Sequence, residues 1–215
     1  LFVKEDGSLW AMGRNAYGEG GDGTRTHRSK PVQVVNGGVK TVASGRYHSL
    51  FVKEDGSLWA MGYNSNGQLG DGTRTQRTRP VQVVNGGVKA VDGGHFYHSL
   101  FVKEDGSLWA MGRNAYGELG DGTRTHRSKP VQVEAGGVKA VAGGYNHSLF
   151  LKADGSPKTP EWLTIDQGKG KLSAGKQARI QVRANAGKIS EPYVTAYLHL
   201  TSNDHEEPKR KIKVT

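Results

Sequence analysis

Cysteine is absent from the chain, which excludes disulfides and thiolate metal centres. No apolar run approaches the roughly 20 residues that a membrane-crossing helix needs, so no membrane span is expected. Proline is scarce, at 7 residues, and aromatics make up 8%. Hydrophobic residues, at 34%, suffice for a core, but a lean one. Acidic residues are also in the minority, 20 against 30 Lys and Arg, for a formal net charge of +10. Counted along the chain, 20 basic residues face 14 acidic ones up to Pro160, and 10 face 6 after it, so the excess is not confined to a tail. A basic surface of this kind suits an acidic partner, or serves solubility alone. What the chain has in excess is glycine, 32 of 215 residues. The glycines recur in register with apolar runs, which marks tight turns and not disorder.

The chain is organised around one stretch, complete from His48 to Gly62 and again from His98 to Gly112. A shortened copy opens at Leu1 and a fading one starts at His147. Leu1, Leu50, Leu100 and Leu149 begin successive copies, so the period is 49 or 50 residues. Within the stretch, Asp55-Gly56 lies between apolar runs and predicts a β-hairpin with a two-residue loop. The flanks Leu50-Phe51-Val52 and Leu58-Trp59-Ala60-Met61 are continuously apolar, as in strands covered on both faces. Each hairpin is therefore expected between copies of itself. Four strands are predicted per period, in the second copy over Val39–Ala43, His48–Glu54, Ser57–Gly62 and Pro80–Val84. A long Gly- and Asn-rich loop, Asn64–Thr73, should join the last two. Four short strands per fifty-residue unit is the pattern of a β-propeller blade.

The residues Gly143-Gly144-Tyr145-Asn146-His147-Ser148-Leu149, Asp105–Gly112, Asn114–Thr123 and Pro130–Val133 together resemble the regulator of chromosome condensation repeat. The resemblance covers residues 1 to about 156 and implies a blade fold. The family usually closes seven blades, and this chain holds about three. It starts with strands two to four of one blade and ends with strands one and two of another. The boundaries read as repeats 1–49, 50–99 and 100–148 with a partial copy over 149–156. The chain is accordingly expected to be a segment of a larger propeller, or an arc that self-associates through open blade edges.

The repeat fades after Leu151, and residues 157–160 read as a linker. Strands are predicted over Trp162–Ile165, Ala178–Ala184, Tyr193–Thr201 and Arg210–Val214. Ile180–Arg183 and Tyr193–Leu200 alternate apolar with polar residues, as a sheet with one wet face does. Residues 161–215 are thus expected to form a small β-sandwich. The pattern Pro160–Leu163, Gly170–Gly175, Tyr193–Ala196 and Thr201–Asp204 is similar to immunoglobulin-like modules of exported bacterial proteins, including the BACON type. That resemblance implies an extracellular or cell-envelope location. The fold class is all-β: a partial β-propeller of about three four-stranded blades, plus the sandwich.

No catalytic constellation stands out. His48, His98 and His147 precede the second strand of each blade. They sit apart on successive blades, with no second ligand at metal spacing, and read as structural. Ser49, Ser99 and Ser148 each follow a histidine directly, and adjacent strand residues face opposite ways, so they do not form nucleophile–base pairs. Trp10, Trp59 and Trp109 read as packing between blades. The Asp-Gly pairs lack the spacing of a calcium loop. No cofactor and no metal site is expected.

Two surfaces carry binding chemistry. The first is a basic rim of Arg25, Arg28 and Lys30, repeated as Arg74, Arg77 and Arg79 and as Arg124, Arg127 and Lys129. Three cations per blade in a curved row would suit a polyanion, though a merely solvated loop reads the same way. The second is the turn before the second strand, with Arg46, Tyr47, His95, Phe96, Tyr97 and Tyr145. Aromatics beside cations at one end of a propeller are anchors for a protein partner. Three functions follow: a non-catalytic protein-interaction scaffold on an exported bacterial protein; a guanine-nucleotide exchange factor for a small GTPase, the role of the resembled family's eponymous member; or an adhesin for acidic polysaccharide or another polyanion.

Overall fold

The computed structural model describes residues 1–153 in full and, beyond them, the strands Leu163–Ile165, Val182–Ala184, Ala196–Thr201 and Lys209–Val214. Contacts divide the chain into two units, Leu1–Gly155 and Ser156–Thr215. All regular elements among the described residues are strands, and no helix there is long and apolar enough to cross a membrane.

In the first unit, β1 (Phe2–Val3), β2 (Leu9–Gly13) and β3 (Arg28–Val35) form a three-stranded antiparallel sheet. A four-stranded sheet follows, β4 (Val39–Ser44), β5 (His48–Lys53), β6 (Leu58–Gly62) and β7 (Arg77–Val84), paired in chain order. The next, β8 (Val88–Gly93) to β9 (His98–Lys103), β10 (Leu108–Gly112) and β11 (Arg127–Glu134), repeats it. Last come β12 (Val138–Gly143) and β13 (Ser148–Lys152), paired alone. These are the blade-like units of a partial β-propeller, with a three-stranded first sheet and a two-stranded last one.

The hairpin loop differs from the expected one. Lys53 and Ser57 close it, Gly56 N–H donates to Lys53 C=O at 2.9 Å, and Gly56 has φ +76° while Asp55 does not have positive φ. A two-residue type I′ loop needs positive φ at both central residues. Here three residues, Glu54-Asp55-Gly56, make the loop, and only the glycine adopts the left-handed conformation. Asp55 instead accepts the Ser57 amide at 2.8 Å, a turn within the turn. The fourth strand also begins earlier than expected, at Arg77 and not Pro80. Proline interrupts only donation of a hydrogen bond, and β7 is the outermost strand, paired on one side alone, so Pro80 is tolerated inside it.

The core lies between sheets. In β5 and β9 the first five residues are buried without alternation, as strands covered on both faces are. Leu50, Val52 and Leu58 of the second sheet, with Leu69 of its long loop, meet Val88, Phe101 and Met111 of the third. Leu9 meets Val39, Phe51 and Met61 in the same way one joint earlier. Full burial of each such side chain stabilises by roughly 1.5–3 kcal/mol. Close approach fixes glycine at the joint: Gly70 (φ +78°) lies against the Met111 thioether, where a Cβ would collide, and Gly21 lies likewise against Met61.

In the second unit β14 (Leu163–Ile165) pairs antiparallel with β15 (Val182–Ala184), and β16 (Ala196–Thr201) with β17 (Lys209–Val214). Each falls within or beside a strand read from the sequence. The remainder of those strands, the linker and the sandwich itself lie outside the described residues.

Candidate partner-binding face

The turn between the first and second strands of each blade carries the sequence-predicted aromatics. Beneath it the histidine that opens the second strand packs its ring on the turn's glycine, His48 on Gly45 and His98 on Gly94. Both histidines are buried. His48 Nε2 lies 2.9 Å from Ser99 Oγ of the next sheet. Ser99 donates its hydroxyl to Gln68 C=O at 2.7 Å, so it accepts from His48 Nε2–H, and His48 Nδ1 is left without a partner. Burial, reinforced by nearby His98, pushes His48 down to about 3, so the ring is neutral at physiological pH. A Ser–His contact therefore exists, but across sheets and fully enclosed. Comparing only adjacent residues missed it, and it serves as a joint.

The structure brings Tyr47, Phe96, Tyr97 and Tyr145 together and adds rings the sequence reading left out. Tyr17 lies 5.1 Å from Tyr47 and 4.9 Å from Tyr63, and Tyr63 lies 5.1 Å from Tyr97. Phe96 continues the row, 5.0 Å from Tyr97 and 4.8 Å from Tyr145, and His95 sits 6.4 Å from Tyr145. Arg46 lies over Tyr47 at 4.9 Å. Arg14 lies over both Tyr47 and Tyr17, and Arg113 over Phe96 and Tyr116. The additions come from the segment after the third strand, at positions 14 and 17, 63, and 113 and 116. Those are among the few positions where copies differ, the same signal that picked out the turns. The result is a continuous tyrosine- and arginine-rich face, with Tyr145 50% and Tyr116 66% exposed.

One residue of the row is strained. Tyr97 has φ +70°, the sole positive φ of a non-glycine among the described residues. Its turn is one residue longer than that of the second blade, Gly94 to His98 against Gly45 to His48, which is why one period is 50 and not 49. Tyr97 C=O still accepts Arg113 N–H at 2.8 Å, as Tyr47 accepts Tyr63 N–H. The extra residue is absorbed in the backbone of Tyr97 while the ring keeps its place.

A buried acid anchors Arg113, and a half-buried one faces Arg14. Glu118, fully covered, meets Arg113 Nη1 at 2.6 Å, and its other oxygen accepts the Tyr116 amide at 2.8 Å. Glu19 accepts the Tyr17 amide at 2.7 Å and faces Arg14 at 3.6 Å. In the second copy both charges are gone together: Tyr63 stands in place of arginine and Gln68 in place of glutamate.

The basic rim is rearranged relative to the expected row. Arg28, Arg77 and Arg127 are each bound by an aspartate of their own loop, with Nη2–Oδ2 distances of 2.6, 2.7 and 2.7 Å to Asp22, Asp71 and Asp121. Burial alone would raise Asp22, but the Thr24 hydroxyl and amide and the Arg28 guanidinium hold it at about 2. Arg25, Arg74, Arg124, Lys30, Arg79 and Lys129 remain exposed. The loop itself is tied by a buried asparagine. Asn64 Nδ2 donates to Asp71, Thr73 and Thr75 while its Oδ1 accepts the Leu69 amide. Trp59 packs against the cluster of Leu9, Val39, Phe51 and Met61 and Trp109 against that of Leu50, Phe101 and Met111, each donating Nε1–H to a serine two residues earlier. Among the described residues no three His, Asp or Glu side chains gather as a metal would require.

A family model described as the regulator of chromosome condensation (RCC1) repeat matches residues 6–52, 55–102 and 105–151. A second model of the same repeat matches 39–68 and 88–118. No curated protein matches by sequence. Among solved structures, human WBSCR16 is similar with TM-score 0.59 and 26% identity over 76% of this chain and 43% of its own. Prp20p from Saccharomyces cerevisiae, described with its binding properties to Gsp1p and histones, gives 0.61 and 20% over 71% and 42%. Yeast RCC1 (Prp20) bound by Kap60 gives 0.59 and 24% over 71% and 39%. The chain thus spans about two fifths of the proteins whose structures it matches, and the two yeast likenesses speak for the fold alone.

Proposed function

This chain belongs to the regulator of chromosome condensation (RCC1) repeat family, and from that premise we propose that it is a non-catalytic scaffold that docks a partner protein on its tyrosine- and arginine-rich face. The observation that carries the reading is the unbroken row from Tyr17 through Tyr47, Tyr63, Tyr97 and Phe96 to Tyr145, with three guanidinium groups laid over it. Tyrosine and arginine dominate the energetics of protein interfaces because each combines a large apolar area with a polar end. Rings already held by neighbours lose little freedom on binding. Protein binding by the similar Prp20p is in keeping with this role.

A pull-down from the source cell tests it. Proteins retained by the unaltered chain should be lost with Tyr47→Ala/Tyr145→Ala, by about 30-fold or more for true hot spots, and kept with a rim variant, Arg74→Ala. Identical sets on all three baits would refute the docking face. Export from a bacterial cell belongs to the same proposal and rests on the residue pattern after Pro160. Fractionation of the source cell tests it separately.

A further inference from the structure

Between the second and third sheets runs a groove of about 440 Å³, whose lining includes Trp109, Lys103, Lys129, Gln82 and Asp71. It shares no residue with the tyrosine-rich face. Lys103 Nζ stands 4.8 Å over the Trp109 ring, and the Lys129 stem rests on Gly72 of the preceding loop. The acid in the lining is already occupied: Asp71 holds Arg77 at 2.7 Å and accepts from Thr73 and Asn64. Both ammonium groups are therefore left without a carboxylate in the groove.

The preceding joint brings the same parts together. Lys53 stands 4.8 Å over Trp59, Arg79 lies on Gly23, and Trp59, Val34 and Val35 flank one core cluster as Trp109, Val83 and Val84 flank the next. Asp22 is held by Arg28 there. The edge of the unit thus repeats two cations and an indole at two successive joints, and at the second joint Gln82 adds an amide side chain.

We infer that these grooves bind an acidic polysaccharide, one whose sugars carry carboxylate or sulfate groups at regular intervals. Compact ammonium charges suit such groups, and the glutamine amide and backbone suit hydroxyls. Recurrence at each joint suits a polymer, since a chain long enough to reach both grooves gains effective concentration at the second. Single-stranded nucleic acid is disfavoured because it needs free ring faces for its bases. Each indole here has a phenylalanine parallel to it across the hairpin, 6.2 Å away in both blades, and a lysine over it.

The test is calorimetric titration of the 215-residue chain with heparin and oligogalacturonate fragments of increasing length, at about 50 and about 200 mM salt. A length-matched oligothymidylate is the nucleic-acid arm. Affinity should rise stepwise once a fragment spans two grooves, and fall at the higher salt. Lys53→Gln/Lys103→Gln should weaken binding by about tenfold or more, and Arg79→Gln/Lys129→Gln likewise. Lys40→Gln/Lys139→Gln, which removes two exposed charges elsewhere, should change it less than about twofold. Circular dichroism and thermal midpoints monitor folding. If the lysine pair proves destabilising, the exposed Arg79/Lys129 pair decides alone. Equal weakening by the control pair would reduce the effect to net charge and overturn the site. Tighter binding of oligothymidylate would overturn the ligand class, and no binding of either sugar would overturn both.

Discussion

Replacing Arg113 with tyrosine reproduces what the second repeat carries naturally, but without the compensating change at Glu118. Glu118 has no solvent exposure and Arg113 only 15%, with 2.6 Å between their charged atoms. In Arg113→Tyr the carboxylate keeps one donor, the Tyr116 amide, and loses its counter-charge. Removing one partner of a buried pair costs about 3–5 kcal/mol, because the remaining charge is neither solvated nor paired. Adding Glu118→Gln removes that charge. The pattern for the result already exists in the molecule, where Gln68, in the copy that carries Tyr63, accepts the Asn66 amide at 3.1 Å at the expense of one unpaired amide nitrogen. An unsatisfied neutral group costs about 1–3 kcal/mol, the lower end when water reaches it. The double variant should thus lie within about 1–2 kcal/mol of the unaltered chain, while the single variant falls about 3 kcal/mol or more below it. Urea unfolding of the four members of the cycle, followed by tryptophan fluorescence, measures the coupling. Additivity within about 0.5 kcal/mol would show that the arginine and the acid are neighbours and nothing more.

Two further predictions concern the joints. His48 titrates near 3 in the fold against an ordinary 6.5, so its stabilising contribution is complete above 6.5 and drains away as the pH falls toward 3. At pH ~4.5 the deficit is about 3 kcal/mol. His48→Gln should flatten that part of the stability profile, and an unchanged acid slope would sink the assignment. Gly70→Ala should cost about 2–3 kcal/mol, for left-handed strain plus displacement of Met111. Gly87→Ala, with a similar φ of +74° and open space around it, should cost only about 1 kcal/mol. Equal thermal shifts for the two would mean that the Met111 contact contributes nothing.

Much of the first unit was legible because its strands obey a local rule. Continuous apolar runs such as Leu50–Val52 have no solvent face to alternate with, and sheets stacked on both sides are the remaining option. What escaped was set by contacts at a distance. The hairpin at Asp55-Gly56 takes a third residue because Asp55 is engaged by the Ser57 amide, which the dipeptide alone does not reveal. Pro80 was read as a boundary, though only an outer strand's position makes it harmless. The rim cations were counted from spacing, while the aspartate six residues before each middle arginine, Asp71 before Arg77, neutralises it. Half of the tyrosine-rich face was missed because Tyr17, Tyr63 and Tyr116 lie in a different segment from the turns, and only the fold places the two side by side.

Near-identity of the copies turns their few differences into information. A residue facing a neighbouring sheet, such as Met61 or Met111, or tying its own loop, such as Asn64 or Asn114, must satisfy the same geometry in each repeat and has no room to diverge. At the tyrosine-rich face no neighbouring sheet imposes a shape, and there the copies differ: Arg46-Tyr47, His95-Phe96-Tyr97 and Tyr145-Asn146 in the turns, and Arg14, Tyr63 and Arg113 after the third strand. Drift alone would change these singly. Yet the change from arginine to Tyr63 comes with the change from glutamate to Gln68, and the added turn residue comes with a strained Tyr97 that keeps its ring between Tyr47 and Tyr63. Substitutions compensated so that the rings stay in register preserve a continuous surface while exchanging an arginine–glutamate pair for Tyr63 and Gln68 in the second copy. A surface that only had to remain soluble would be under no such constraint.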